Sequence, residues 1–448
     1  MRVNEILVQE IEALIQKKDY RSLKEALPEI LPADLVEILY LLPTVDRLLI
    51  FRLLKKDMAV EVFSLLESNE QEELLHLFTD DNAKEILQSM APDDRADLFD
   101  ELPAGIVNRL IALLPQDQRD LMNRMLNYPD NSAGRLMTTE YVNLREHMNV
   151  ASAIHHIRTV APDKETIYYA YVIDDRRYLI GIVSLRQLLL AQDSMLVENI
   201  MHKDFISVKT TDDQEYVAKA IKKYDLLAIP VVDLENRLVG IVTVDDVIDV
   251  IDEEATEDFH KMAAMQATED SYFSTGFFML ARKRILWLIL LLLAYNFTQI
   301  VLRHYADTLK IISLIFFMPM IIGTGGNAGT QSATLIIRGL AVGEIRPLDF
   351  FKIVFKESFM GILMGLLLGI VLIISGAIMG ADMIIAYIAS IALIVIVLSA
   401  NLAGALLPLI AKLLKLDPAI MAGPVITIIV DILGIVIYFE VAKFLLNI

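Results

Sequence analysis

From residue 271 onward the chain is almost all Leu, Ile, Val, Ala, Gly, Phe and Met, in runs longer than any water-soluble core can use. Crossing the hydrocarbon core of a bilayer takes about 20 apolar helical residues. Five stretches meet that length: 285–303, 311–337, 353–379, 383–411 and 418–442. The overall mean hydropathy of +0.51 comes mainly from this part, because residues 1–270 read as an acidic, water-soluble protein. Positive charge sets the orientation of such spans. Arg282, Lys283, Arg284, Arg338, Arg346, Lys352, Lys356, Lys412 and Lys415 fall on one side, against Arg303, Lys310 and Lys443 on the other. The expectation is a multi-pass protein of the inner (plasma) membrane, with the N-terminus in the cytoplasm and the C-terminus outside.

The charge divides at the same place. Residues 271–448 hold 8 acids and 12 bases, which leaves 51 acids and 28 bases in the first 270 residues. A soluble part that negative repels nucleic acid and anionic lipid and attracts cations. With no cysteine, disulfides, thiolate metal sites and cysteine nucleophiles are excluded. The start, "MRVNEILVQEIEALIQ", mixes acids with apolar residues and reads as an amphipathic helix rather than a signal peptide.

Two of the spans carry unusual residues. The second, "PMIIGTGGNAGTQSATLIIRGL", puts Pro319, several glycines, Asn327 and Gln331 at membrane depth. Freed backbone groups there need protein or water as partners, so a break lining a wet path is expected, with close helix packing through small residues as the alternative. The last span holds Asp431 among apolar residues, with no Lys, Arg or His beside it. It lies 14 residues past Asp417, about 21 Å along a continuous helix at 1.5 Å per residue. Intramembrane acids are costly and mark ion paths, so Asp431 is the first candidate functional residue.

The soluble part contains a repeat. "VIDDRRYLIGIVSLRQLL" (172–189) matches "VVDLENRLVGIVTVDDVI" (231–248) at a constant offset of 59. In each copy two β-rich runs flank a polar turn, Gly181 or Gly240 starts the second strand, and a Ser or Thr opens a helix. The repeat resembles the tandem CBS domain, a regulatory module that pairs with itself. That resemblance implies a nucleotide site of the ATP type at Gly240, Thr243 and Asp246; Gln187 stands where the first copy would need its acid. The other reading is that Thr243 only caps its helix. Upstream, seven short segments between 32 and 126 open with Pro, Asp or Asn, as helices do, and read as an irregular α-solenoid in which each unit packs on the next.

Between Asp245 and Asp258 there are eight acids and no base. Asp246, Asp249, Glu253 and Glu257 share one helical stripe, with Glu254 and Asp258 beside it. Candidate facing acids are Asp93, Asp94 and Asp97 in the solenoid and Asp213, Glu215 and Asp225 in the second repeat. Oxygen-only ligands suit hard cations such as Mg²⁺ or Ca²⁺, while a solvated linker helix is the plain alternative. No EF-hand loop occurs, and the seven histidines lack zinc spacing.

Taken together, "YPDNSAGRLMT" (128–138), "PMIIGTGGNAGTQSATLIIRGLAVGE" (319–344) and "DPAIMAGPVITIIVDILG" (417–434) resemble the MgtE-type magnesium transporters, over essentially the whole chain. The resemblance implies a mixed fold: an acidic helical domain (1–130), an α/β tandem CBS domain (131–250), an acidic connecting helix (246–270) and a five-helix transmembrane domain (271–448). It implies a homodimer in the lipid bilayer with a Mg²⁺ path on the dimer axis between the second and fifth spans. Asp431 would be the ion site, and the connecting helix would plug the path when internal Mg²⁺ is high. Gly325, Gly326, Asn327, Gly329, Gln331, Gly423, Pro424 and Thr427 are the expected lining, with backbone carbonyls freed near Gly325 and Gly423–Pro424. A proton-coupled divalent transporter, with Asp431 titrating, or a divalent exporter are the competing readings. A CBS-bearing enzyme is excluded by the absent cysteine and the spans.

Overall fold

A computed structural model describes residues 2–266, 275–306, 308, 312–421 and 423–447. The expected connecting segment 246–270 therefore lies partly outside the described residues. The chain forms two compact units, Met1–Asp252 and Glu253–Ile448.

The first unit opens with helices α1 (Arg2–Gln16) and α2 (Tyr20–Ala26). Eight short helices follow: α3 (Pro32–Leu41), α4 (Thr44–Leu53), α5 (Lys56–Ser64), α6 (Ser68–Leu77), α7 (Asp80–Ser89), α8 (Pro92–Glu101), α9 (Ala104–Leu113) and α10 (Gln116–Met125). Their first residues are spaced 12 apart throughout, so the expected irregular repeat is corrected to a regular one, and α5 joins the seven segments read from sequence. The period is carried by the apolar positions and not by the helix starters, which vary from Pro to Lys to Gln. Ile38, Ile50, Val62, Leu74, Ile86, Leu98, Leu110 and Met122 recur every 12 residues, and all are buried. A ten-residue helix with a two-residue connection reverses the chain at each step. The main packing is then between alternate helices (α1 on α3, α3 on α5, α5 on α7, and α6 on α8 on α10) rather than between successive ones.

After α11 (Ala133–Leu136) come two copies of one motif. β1 (Val142–Arg145) pairs in parallel with β2 (Tyr169–Ile173), which pairs antiparallel with β3 (Leu179–Ser184). β4 (Val208–Lys209), β5 (Ala228–Val232) and β6 (Leu238–Thr243) repeat that order. Helices α12 (Val150–Val160), α13 (Leu185–Leu190) and α14 (Gln214–Tyr224) accompany the sheets. Gly181 and Gly240 stand third in β3 and β6 rather than at their starts. A Cβ on Gly181 would meet the Met201 sulfur at 2.6 Å, and one on Gly240 would meet that of Met137 at 2.5 Å, so close approach explains both glycines. α15 (Val244–Met262) follows β6 directly and carries Asp245 and Asp246 in its first turn.

The second unit holds α16 (Phe277–His304), α17 (Ile312–Ala341), α18 (Phe350–Ile378), α19 (Met383–Leu413) and α20 (Pro424–Leu446). Among the described residues four segments are long and apolar enough to cross a membrane: Phe277–His304, Pro347–Ile378, Met383–Leu413 and Pro418–Leu446. α17 is 30 residues long but polar in its middle. The expected break within it is absent, because the helix runs unbroken through Pro319 and its glycines. α19 forms the centre, packed against α17, α18 and α20. Gly361 and Gly365 of α18 lie where a Cβ would come within 2.9 Å of the α19 backbone, so small residues set that approach. α16 buries none of its side chains, and Leu292 and Phe297 are 69% and 64% exposed, as suits contact with lipid.

Candidate ion path and acidic cluster

α17 has two faces. Gly325 and Gly329 look inward: a Cβ on Gly325 would touch Ile396 and Val430, and one on Gly329 would touch Ile426, Val430 and the Ala400 carbonyl. These two glycines therefore serve packing against α19 and α20, which replaces the freed-carbonyl role expected near Gly325. Gly326 is also buried, and a Cβ there would stand 3.5 Å from the Thr427 methyl. The opposite face exposes Asn327, Gln331, Thr334 and Arg338, spaced four, three and four apart along one stripe. The last two were missed from sequence, although the same spacing, carried on from Asn327, reaches them.

Asp431 is partly exposed on α20 and makes no hydrogen bond or ion pair with any described residue. One turn before it, Thr427 returns its hydroxyl to the Gly423 carbonyl at 3.0 Å. Gly423 and Pro424 do interrupt the chain, since Gly423 has φ +42° and Pro424 opens α20. The depth of Asp431 is thus measured from Pro424, seven residues or about 10 Å of helix, rather than about 21 Å from Asp417.

The end of α15 reaches this interruption. A Cβ on Gly423 would lie 2.6 Å from the Met262 carbonyl, so glycine is required there by contact as well as by backbone angle. Lys261 Nζ lies 2.7 Å from both Glu257 and Asp417. Burial opposes its charge, but hydrogen bonds to the two carboxylates outweigh that, and its pKa is raised. Asp417 also accepts the Ala419 N–H at 2.8 Å.

In the first unit, Asp93 and Asp94 on α8, Glu165 before β2, and Asp245 and Asp246 on α15 act on one another through their charges. Burial and then the Asp246 charge push Asp93 well above the usual carboxylate range. Burial and the charges of Asp246, Asp245 and Asp94 raise Glu165 to about 7. Burial, aided by Asp245 and opposed by hydrogen bonds from Thr243, raises Asp246 to about 6. Asp94 is raised, again by burial first. Arg95, next in sequence, points its guanidinium to the Met90 carbonyl and Gln118. Asp93 Oδ1 is buried without a hydrogen-bond partner. Among the described residues no three acidic or histidine side chains converge to direct metal-ligand spacing. An orphaned carboxylate oxygen amid raised acids still fits a hard cation that keeps its water shell.

Of the other acids expected at this cluster, Asp213 caps α14 by accepting the Glu215 N–H, Glu215 pairs with Lys219, and Asp225 ends α14 with φ +51°. Asp97 is exposed one turn past Asp93. Burial, with Asp252 and Asp245, raises Asp249, and Glu257 is engaged by Lys261. Glu253, Glu254 and Asp258 lie along the same helix. Glu165 was missed because it sits in a connection 72 residues from Asp93 with no pattern around it. At the nucleotide motif, Thr243 donates its hydroxyl to Asp246 at 2.5 Å, so the carboxylate receives the threonine rather than the threonine capping the helix. In the first copy Ser184 and Gln187 form a full capping box.

A unit of long apolar helices that carries Asp431, joined to a CBS-like pair and an acidic helical repeat, has the architecture of a membrane protein with a soluble N-terminal part. Residues 318–441 match the family described as "MgtE: Divalent cation transporter", 30–131 the MgtE intracellular N domain, and 133–194 and 197–253 the CBS domain. The chain is 39% identical to the magnesium transporter MgtE of Thermus thermophilus over 99% of its length and 100% of that protein. It is 36% identical to that of Bacillus subtilis over 78% of this chain and 77% of that one. Among solved structures, the cytosolic domain of the Mg²⁺ channel MgtE in complex with ATP is 41% identical, with a TM-score of 0.52, covering 54% of this chain and 99% of that one. The chain belongs to the MgtE family.

Proposed function

We propose that this chain transports Mg²⁺ as a channel formed by two copies, with an Asp431 from each facing a shared path and the acidic soluble part closing it. The observation that carries the reading is the uncovered polar stripe of α17, together with a partly exposed Asp431 on α20 that makes no hydrogen bond or ion pair with any described residue. Lipid cannot satisfy Asn327, Gln331 and Thr334, so a second copy and water must. Two carboxylates across an axis supply the charge a doubly charged hydrated ion needs, with no cationic partner in either chain. Asn327, Gln331 and Thr427 then bond the ion's water, while Gly326, Gly423 and Pro424 shape the wall. Relatives named magnesium transporters support the choice of ion and the absence of enzymatic chemistry.

The domains, in this reading, are the acidic helical part (1–130), the CBS pair (131–250), the connecting helix (246–270) and five spans in 271–448, α17 among them. The basic residues beside the spans support a cytoplasmic N-terminus and an outer C-terminus. The sensor residues are Asp93, Asp94, Glu165, Asp245 and Asp246, with the remaining acids of α15 toward the membrane. A bound divalent cation supplies counter-charge there. Asp93 and Asp94 can then stay close to Asp246, and the packed arrangement is favoured over the separated one. Lys261, clamped by Glu257 and Asp417, holds the end of α15 against Gly423.

The test is electrical recording from proteoliposomes with Mg²⁺ varied on the side of the soluble part. Passive conductance that falls as that Mg²⁺ rises is expected. A strict need for a proton gradient would favour the coupled-transporter reading instead. Lys261→Gln, which removes a partly exposed ion pair, should raise the Mg²⁺ needed for half-closure by about fivefold, the scale of roughly 1 kcal/mol. Unchanged closure would remove Lys261 from the gate.

We also propose an ATP site at Gly240, Thr243 and Asp246, supported by the ATP-bound structure of the related cytosolic domain. Calorimetry should register ATP binding that weakens about tenfold in Asp246→Asn, since a charge-assisted hydrogen bond is at stake. The absence of heat with the native chain would end the proposal.

A further inference from the structure

Three polar side chains buried between α17, α18 and α19 have no part in the ion path described above. Glu357 of α18, Ser332 of α17 and Asn401 of α19 are 9%, 3% and 3% exposed. Ser332 Oγ lies 2.8 Å from Glu357 Oε2 and 3.0 Å from the Asn401 carbonyl oxygen, so one hydroxyl hydrogen serves two acceptors. Asn401 Oδ1 is buried without a partner, and no base pairs with Glu357 among the described residues.

A buried carboxyl in a membrane span is costly and is retained where it acts. The position of this one is informative. A Cβ on Gly404, one turn past Asn401, would collide with the Gly329 carbonyl and lie 3.1 Å from Ser332 Cβ. α17 and α19 thus touch backbone to backbone at the turn where Glu357 bonds Ser332. The residue just before Ser332 is Gln331, a member of the open polar stripe. Successive residues of a helix are about 100° apart, so turning α17 by one position would bring Ser332 to the open face and move Gln331 off it, to the half-buried place of Thr330. Small residues allow close approach but do not fix rotation, whereas a directed hydrogen bond does.

We infer that Glu357 is a positioning residue for transport: through Ser332 it sets the rotation of α17 so that Asn327, Gln331 and Thr334 face the ion path. The inference rests on the reading of that stripe as path lining. It predicts that the carboxyl's hydrogen-bonding geometry matters and its charge does not. An amide at 357 can donate to Ser332 Oγ, leaving the hydroxyl hydrogen to the Asn401 carbonyl.

Because the chain has no cysteine, a single Gln331→Cys substitution reports which way α17 faces. The rate at which a water-soluble, charged methanethiosulfonate modifies its thiol in proteoliposomes is measured alone and together with Glu357→Gln, Glu357→Leu or Ser332→Ala. Mg²⁺ flux is measured for the last three without the cysteine. Glu357→Leu and Ser332→Ala should each lower flux and labelling about tenfold, the scale of one hydrogen bond to a buried carboxyl. Glu357→Gln should restore both to within about threefold of the unsubstituted chain, and combining Glu357→Leu with Ser332→Ala should be no worse than either single change. Ser332→Ala, a small change in a packed position, guards against a folding failure in Glu357→Leu. If the thiol of Gln331→Cys is labelled at the same rate in all backgrounds and flux is unchanged, the positioning role is overturned. If that thiol is unlabelled even beside native Glu357, the path reading fails first, and this inference with it.

Discussion

Asp431→Asn is expected to lower Mg²⁺ flux into proteoliposomes at least about 100-fold, with the protein still inserted in the membrane. A doubly charged ion held through water about 5 Å from a carboxylate gains roughly 6–7 kcal/mol at an effective dielectric of about 20. Losing under half of that stabilisation accounts for a hundredfold change. Asparagine keeps the volume and one acceptor oxygen, so the loss reports charge and not a cavity. In the proposed two-copy channel both carboxylates are lost at once. Asp431→Glu keeps the charge but moves it by one methylene, and an intermediate flux is expected. Flux in Asp431→Asn equal to that of the unsubstituted chain, measured with a Mg²⁺-sensitive dye inside the vesicles, would dismiss Asp431 as the ion site.

What could be read in the sequence follows the range of each signal. Apolar runs and the offset of 59 are local patterns, so the CBS copies and the apolar helices were legible, the helix ends to within eight residues. The solenoid's 12-residue period was equally present, at Ile38, Ile50, Val62 and onward. The helix starters Pro, Asp and Asn hide it, because they vary with local capping while the buried positions do not. The glycines of α17 are ambiguous in sequence for a related reason. Glycine either loosens a helix or lets another helix approach, and only the neighbours Ile426, Val430 and Ala400 decide which. Asp431 needed no neighbour to be noticed, because an unpaired acid in hydrocarbon is costly wherever its partner lies. Glu165 and Glu357 were beyond sequence reading. Each gains its meaning from residues far along the chain (Asp246 for one, Ser332 and Asn401 for the other), and nothing flanking either residue records that meeting.

The acidic cluster leads to the second large effect, in pH as well as in metal. Glu165 titrates at about 7 and Asp246 at about 6 in the folded chain, against 4.5 and 3.8 in an unfolded one. The folded state therefore holds protons that the unfolded state has released. The resulting stabilisation is fully present below about pH 4 and is lost as pH rises through about 6 and 7. For Glu165 the full shift corresponds to roughly 3 kcal/mol, and solvent screening of this half-exposed group leaves about 1–2 kcal/mol. Limited proteolysis of the purified full chain without divalent cations should accordingly be about tenfold slower at about pH 6 than at about pH 8, after correction for the protease's own pH dependence, because cleavage tracks the population of open forms. At the higher pH, millimolar Mg²⁺ should restore the protection that protons give at the lower one. At the lower pH it should add little, since protons have already relieved the repulsion that a cation would relieve. Asp93→Asn together with Glu165→Gln should flatten both dependences and leave the metal-free chain protected at the higher pH. A variant as sensitive there as the unsubstituted chain, and as strongly protected by Mg²⁺, would show that the sensing acids lie elsewhere. If the proposed channel is gated by this cluster, the same substitutions should hold it shut when Mg²⁺ is low, because the proposed closed arrangement no longer needs a counter-charge. In the recording experiment, that outcome would join the acids of α8 to the proposed closure by Mg²⁺.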